Sequence, residues 1–346
     1  MITAHLILTV DYEVFGNGLG RIDPCVLAPA QRMMDIADPF GAPLTFFVET
    51  TEFMVMEKAG VAEVYQVRQQ IAWAISHGHD AQLHLHPQWE GAFRQSDGSW
   101  RMDNAQWRIG DLPFGESLRI LREGKKWLEN VAREGSPQYR CLAFRAGGWC
   151  IQPSQEVLRA LGELGFQIDS TVAPALRNTL PAEWYDFRTA PLKPYWKADR
   201  DICADGVSGL WEVPIATGKT GKWRHLRALK SARASGEGGL APGCRGDYHG
   251  PDSRLQGLRG KVGKVLRLGQ VMLDVSTMPA DMLIEITRQW ILRFGEDESP
   301  IPLVAIAHTK NFSPASEQNM AAYMAWAKGE GMIFSTFGQW LDTVHV

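Results

Sequence analysis

The feature that most constrains this chain is a repeated pairing. A short apolar run stops at a polar side chain, and a stretch with helical spacing follows it. The first run, His5–Val10, ends at Asp11, and Leu44–Val48 follows Pro43. Asp80–Leu85, Arg140–Phe144, Phe166–Ile168, Leu303–Ala307 and Met332–Ser335 repeat the pattern, with further strand ends expected at Gly209–Pro214 and Val271–Asp274. Continuous short apolar runs mark strands buried on both faces. Between them, residues 26–38, 61–77, 115–133, 278–294 and 316–328 carry helical spacing, and another helix opens at Pro153 and Ser154 and closes at Gly165.

Alternation of this kind predicts an α/β architecture with about seven parallel strands. A closed barrel is favoured over an open sheet because polar residues of different chemistry, Asp11, His84, Arg145, Asp169 and His308, sit at the ends of separate strands. The strand ends of a barrel face one pocket, whereas an open sheet gathers ligands chiefly at its switch point. The 346 residues are read as a single domain interrupted by a glycine-rich insertion at about 216–270. That insertion carries 12 Lys or Arg against three acidic residues in a chain whose net charge is −3. It reads as a solvated excursion or a docking surface for an anionic partner. With no base-stacking or reader motif beside the charge, no nucleic-acid partner is expected.

No stretch reaches 18 uncharged apolar residues, so no transmembrane segment is expected. The N-terminus shows neither a basic leader nor a small-residue cleavage site, and the five cysteines form no CxxC pair. Both observations point to a reducing, cytoplasmic setting.

Asp11 and Glu13 are two positions apart at a strand end, which puts both carboxylates on one face. His84 and His86 repeat that spacing, with Leu83 and Leu85 facing the other way. Imidazoles and carboxylates together suit zinc or another first-row divalent ion, while a hydrogen-bonded structural pair is the competing reading. His79 and Asp80, nearer the strand start, read as structural. Arg145 precedes Gly147 and Gly148 and is expected to orient Asp11 or bind substrate; Asp169 is expected to orient His308 or anchor a loop. The chain has 13 Trp, and Trp89, Trp149, Trp184, Tyr195 and Trp196 are candidates for a sugar-stacking wall, with core packing as the alternative. No Gly-x-Ser-x-Gly elbow, phosphate loop or dinucleotide fingerprint is present. Glycoside hydrolysis by paired acids would leave the clustered histidines unused.

In order, these segments resemble the motifs of the polysaccharide deacetylase, or NodB-homology, family. Thr9–Glu13 is similar to its Thr-Phe-Asp-Asp motif, Thr45–Val48 to its Thr-Phe-Phe-Val strand, and Gln82–Trp89 to its histidine motif, here of His-x-His-Pro type. Phe144–Trp149 resembles the arginine motif, Phe166–Thr171 the Tyr-Asp-x-Asp-Ser-Ser segment, and Ala307–Thr309 the late Leu-His motif. The resemblance spans roughly residues 5–310 and implies a distorted (β/α) barrel and one divalent metal ion, with Zn2+ the first choice.

It further implies Asp11 as base, His84 as ligand and His308 as acid. The family's second Asp falls on Tyr12 and its second His on Gln88, so Glu13 and His86 are the expected replacement ligands; Asp11 could also take the metal while Glu13 acts as base. The activity implied is hydrolysis of an acetamide or acetyl ester on a sugar or glycan precursor. The alternatives are a catalytically weakened carbohydrate-binding or scaffolding relative and an amidohydrolase acting on a small non-sugar amide.

Overall fold

A computed structural model describes residues 3–180, 183–221, 269–295 and 300–344. Its main sheet has nine strands: β1 (Ala4–Tyr12), β2 (Leu44–Glu49), β3 (Asp80–Leu85), β4 (Ala143–Ala146), β5 (Ile168–Asp169), β6 (Trp196–Ala198), β7 (Leu210–Glu212), β8 (Ile301–His308) and β9 (Ile333–Phe334). Their order is β6-β7-β5-β4-β3-β2-β1-β8, with β9 against the first half of β1. All pairings are parallel except β6 with β7.

The sheet curls into the distorted (β/α) barrel that the resemblance implied. Two isolated parallel bridges reach across the remaining gap, Ile215 to Val304 and Asp274 to Ile306. Ala216 N–H donates to Val304 O, and Ile306 N–H donates to Leu273 O. Thus β8 is joined on one side by β1 and on the other by the segments that follow β7 and precede residue 276.

Around the sheet pack α1 (Ala28–Ala37), α2 (Thr50–Lys58), α3 (Glu63–Ser76), α4 (Phe114–Ala132), α5 (Gln155–Glu163), α6 (Ala280–Phe294), α7 (Pro314–Gly329) and α8 (Phe337–Val344). α4 shows why such segments are helical and why they dock. Its apolar positions Ile120, Leu121, Trp127, Leu128 and Val131 fall on one stripe and are buried, while Arg119, Glu116 and Glu123 pair on the solvent side. Each fully buried Leu or Ile of such a stripe contributes about 1.5–3 kcal/mol.

Several local outcomes differ from the sequence reading. β4 starts at Ala143 rather than Arg140, because the backbone N–H groups of Leu142 and Ala143 donate to the Gln82 side-chain carbonyl instead of extending a ladder. The helices α2 and α8 were not anticipated. Thr50 and Thr51 disfavour a helix by propensity, but Glu49 caps it by accepting from Glu52 N–H. The segment expected at Val271–Asp274 divides: Gln270–Met272 pairs antiparallel with Thr217–Lys219 in a separate ladder, and Leu273 and Asp274 meet β8 only through the single parallel bridge. Residues 222–268, most of the basic insertion, lie outside the described residues.

Side-chain alternation sorts the strand ends into two faces. Tyr12, Val48, Leu83, Phe144, Asp169 and Glu212 share one row across the register. That row faces the helices, since the Tyr12 hydroxyl donates to Gln70 of α3 at 2.8 Å. The alternating residues Asp11, Phe47, His84 and Arg145 face the barrel interior, where the Arg145 guanidinium lies 4.1 Å from the Phe47 ring centre.

Candidate metal and catalytic centre

The departure at Tyr12 has a simple geometric basis. In β1 Asp11 points in and Tyr12 points out to α3, so Glu13 is the next residue whose side chain can return to the interior. The pair at His84 and His86 follows the same rule at the end of β3. All four side chains are buried.

Asp11 is fixed from two sides. Arg145 donates from one terminal nitrogen to Asp11 Oδ1 at 2.6 Å and from the other to Thr9 Oγ1 at 3.0 Å, while its Nε donates to Ser170 O at 2.9 Å. His308 Nε2 lies 3.4 Å from Asp11 Oδ2. Burial alone would raise the Asp11 pKa, but the Arg145 charge, helped by His84 and His308, outweighs it and holds the carboxyl below its ordinary range.

Glu13 is held by a cation that the sequence reading missed. Lys310 Nζ donates to Glu13 Oε1 at 2.8 Å and lies 3.3 Å from Val14 O. Burial works to raise Glu13, yet Lys310 and His86 keep it well below the usual carboxylate range. The other oxygen, Oε2, lies 3.0 Å from His86 Nε2 and 3.7 Å from His84 Nε2. These three atoms are buried and have no hydrogen-bond partner outside the trio.

A divalent ion can be tested against these donors. One oxygen and two imidazole nitrogens lie within 4.8 Å of one another, and Asp11, Glu13 and His308 form a second such group sharing Glu13. Nδ1–H of His84 donates to Arg145 O at 2.8 Å, which leaves the Nε2 lone pair for a metal, the arrangement that orients metal-binding histidines generally. His86 is set differently. Gln88 Nε2 donates to Gly16 O at 3.1 Å and sits 3.1 Å from His86 Nδ1, so that Nδ1 accepts and the ring proton is on Nε2, toward Glu13. Gln88 Oε1 is buried without a partner; turning the amide over would offer His86 Nδ1 an acceptor and free Nε2, at the cost of the Gln88 bond to Gly16 O. Glu13 and His84 therefore fit an ion as they stand, and His86 fits it once that amide turns.

Behind the trio lie two further buried carboxylates. Glu49 accepts from His86 N–H at 2.8 Å and from Glu52 N–H, and Glu52 accepts from Val14 N–H at 3.0 Å. They tie the loops after β3 and β1 together, which fixes Glu13 relative to His86. Burial pushes Glu49 up to about 8 and Glu52 well above the ordinary range. A capping acid at the foot of a helix gives no signal of this role in sequence.

The remaining expected site residues scatter. Asp169 lies on the helix-facing side, accepts from Thr171 N–H at 2.9 Å, and is paired with Glu212 rather than His308. Of the five candidate rings, Trp149 meets the centre: it is edge-on to His308 with 6.0 Å between ring centres. Trp184 stacks under Arg108 at the rim, Trp89 is buried against Trp100, and Tyr195 packs on Trp211 and Trp340. Trp196 is core, its indole N–H donating to Ile202 O. Trp107, in a loop without periodicity, was missed; its ring stands edge-on to His86 at 5.6 Å. His79 and Asp80 are structural, His79 accepting from Leu44 N–H and Asp80 capping Ala81 and Gln82.

No helix among the described residues is long and apolar enough to cross a membrane. No protein-family model matches the sequence, and neither does any curated protein. Solved structures do share the fold. A provisionally assigned polysaccharide deacetylase from Mycobacterium smegmatis is 16% identical, with 99% of this chain and 91% of that one covered and a TM-score of 0.51. A provisionally assigned glycoside hydrolase/deacetylase from Parabacteroides distasonis is 11% identical, covering 98% and 70%, with a TM-score of 0.54. A 4-alpha-glucanotransferase from Thermococcus litoralis is 11% identical over 99% of this chain and 40% of its own, at a TM-score of 0.51. The chain therefore has the barrel of the deacetylase type.

Proposed function

We propose that this barrel is a divalent-metal-dependent hydrolase, of the polysaccharide deacetylase family, that removes an acetyl group from an acetamide or acetyl ester on a sugar or glycan precursor. The observation that carries the reading is the buried convergence of Glu13 Oε2, His84 Nε2 and His86 Nε2 beside a carboxylate, Asp11, that Arg145 keeps ionised. Glu13, His84 and His86 would hold the ion, with Zn2+ the first choice. When bound it supplies Lewis-acid polarisation of the acyl oxygen and lowers the pKa of water.

The protein's own groups divide the proton work. Asp11 Oδ1 is taken by Arg145, which leaves Oδ2 to accept the proton of the attacking water. Holding Asp11 from one side restricts it to that geometry and keeps it charged at neutral pH. His308, beyond Oδ2 and partly open, delivers a proton to the leaving nitrogen or oxygen. Trp149, beside His308, offers an apolar face on which a sugar ring can stack.

Acetate release is the test, measured on the chelator-treated protein with and without added Zn2+ or Co2+, across acetylated mono- and oligosaccharides and small non-sugar acetamides. Metal-restored release from the saccharides, abolished by Asp11→Asn and His84→Ala, is the expected result. A folded, metal-loaded protein that releases acetate from none of them rejects the reading, and release from the small amides alone rejects the sugar.

A further inference from the structure

Asp11 and Glu13 each already have a cation against them, and only one of these cations is explained by orientation. Arg145 is locked by three further acceptors besides Asp11, on Thr9 and Ser170. Lys310 instead reaches the centre from the short turn after β8, and its ammonium bonds Glu13 Oε1 at 2.8 Å and faces Val14 O at 3.3 Å. Its side chain is only 13% exposed. It thus forms a buried ion pair with the very carboxylate whose second oxygen points at His84 and His86.

We propose that Lys310 is the resident counter-ion of the centre and sets how tightly a divalent cation is held. This rests on the reading of Glu13, His84 and His86 as a metal site. The ammonium satisfies Glu13 when no ion is bound, which lets a buried carboxylate persist in the interior without a metal. The same charge then opposes an arriving ion and makes Glu13 Oε1 a poorer second donor while Lys310 holds it. Two like charges so close, in a site of low dielectric, interact far more strongly than they would in water. The outcome is a centre that stays folded and ordered without metal and binds metal more weakly than the same donors would without Lys310.

Metal titration and thermal unfolding of the full chain test this together. Zn2+ and Co2+ binding are measured by calorimetry on the parent, Lys310→Met, Lys310→Arg and His84→Ala. Lys310→Met is expected to bind at least about tenfold tighter than the parent, whereas Lys310→Arg, which keeps the charge, stays within a few-fold of it. Without metal, Lys310→Met is expected to melt at a lower temperature, and adding Glu13→Gln to restore much of the loss.

Equal or weaker metal binding by Lys310→Met overturns the proposal. If the parent binds metal in a His84-dependent way while Lys310→Met shows no gain, the counter-ion role fails and the metal site stands. Binding by neither protein rejects both. Should Lys310→Met not fold, Lys310→Gln carries the same comparison, and unchanged metal-free stability there also counts against the ion pair.

Discussion

Arg145 and His84 are coupled through a single atom: the Arg145 carbonyl accepts Nδ1–H of His84 at 2.8 Å while its guanidinium donates to Asp11 at 2.6 Å. One residue therefore fixes the base with its side chain and the histidine tautomer with its backbone. Parallel pairing of β3 with β4, which sets His84 opposite Arg145, makes this possible.

Replacing Arg145 by Met leaves the buried Asp11 carboxylate without its main partner. Removing one member of such a pair costs about 3–5 kcal/mol. Urea unfolding at pH 7 is expected to show a loss of that order, and acetate release to fall at least about 100-fold. The Asp11 pKa is depressed in the folded state, so its contribution is present above the ordinary carboxylate range and fades as pH falls through the folded value. The stability gap between parent and Asp11→Asn should narrow on acidification; a gap that widens speaks against the ion pair.

Gly147 lies against the His86 ring. A Cβ built there would come within 2.5 Å of the imidazole. Because the contact is with the ring itself, Gly147→Ala should displace His86 while leaving the strand intact. Zinc affinity is expected to drop about 10–100-fold, the range for lost orienting contacts, with a much smaller change in melting temperature. Unchanged affinity would show that His86 is not a ligand.

The ring proton of His86 can be read directly. In the metal-free protein, long-range 15N–1H spectra should show a protonated Nε2 and an unprotonated Nδ1 for His86. For His84, whose pKa burial would lower but the Asp11 and Glu13 carboxylates raise, the reverse pattern should emerge as pH is taken upward and its second proton leaves. Zinc is expected to switch His86 alone. Two histidines of the same tautomer before metal is added would remove Gln88 from the argument.

Asp169 and Glu212 form a buried acid pair on the helix-facing side, each with its pKa raised by burial first and, for Glu212, by its neighbour's charge. A raised carboxyl keeps its proton in the folded state to higher pH than in the unfolded chain. Stability from this pair is therefore highest at mildly acid pH and falls as pH rises above about 4.5. Glu212→Gln should flatten that decline, seen as a smaller loss of melting temperature between pH 5 and 8. A parent whose stability rises across this window contradicts the raised pair.

How far the site was legible depended on whether a residue sat on a period. Asp11 with Glu13 and His84 with His86 fall at strand ends whose alternation puts each pair on one face, so spacing paired them, while the place of His308 beside them came from the resemblance. Lys310 follows β8 by two residues in a turn, where no period fixes direction. Glu49 and Glu52 read as the edge of a loop because Thr50 and Thr51 hide a helix start. Asp169 closes β5 where Asp11 sits one residue short of the end of β1, and the register turns it to the other face, one residue out of phase. Tyr195 and Trp196 belong to a segment that leaves the pocket and packs toward α8 and the Ile202 loop. Nearness in sequence to a pocket loop carried no spatial information there.

The antiparallel ladder of Thr217–Lys219 with Gln270–Met272 joins the chain where it departs and returns, with Lys219 opposite Gln270. The bridges that complete the ring, at Ile215 and Asp274, lie just inside that clasp. A tight turn built directly between Lys219 and Gln270 would therefore leave both ring-closing bridges in place.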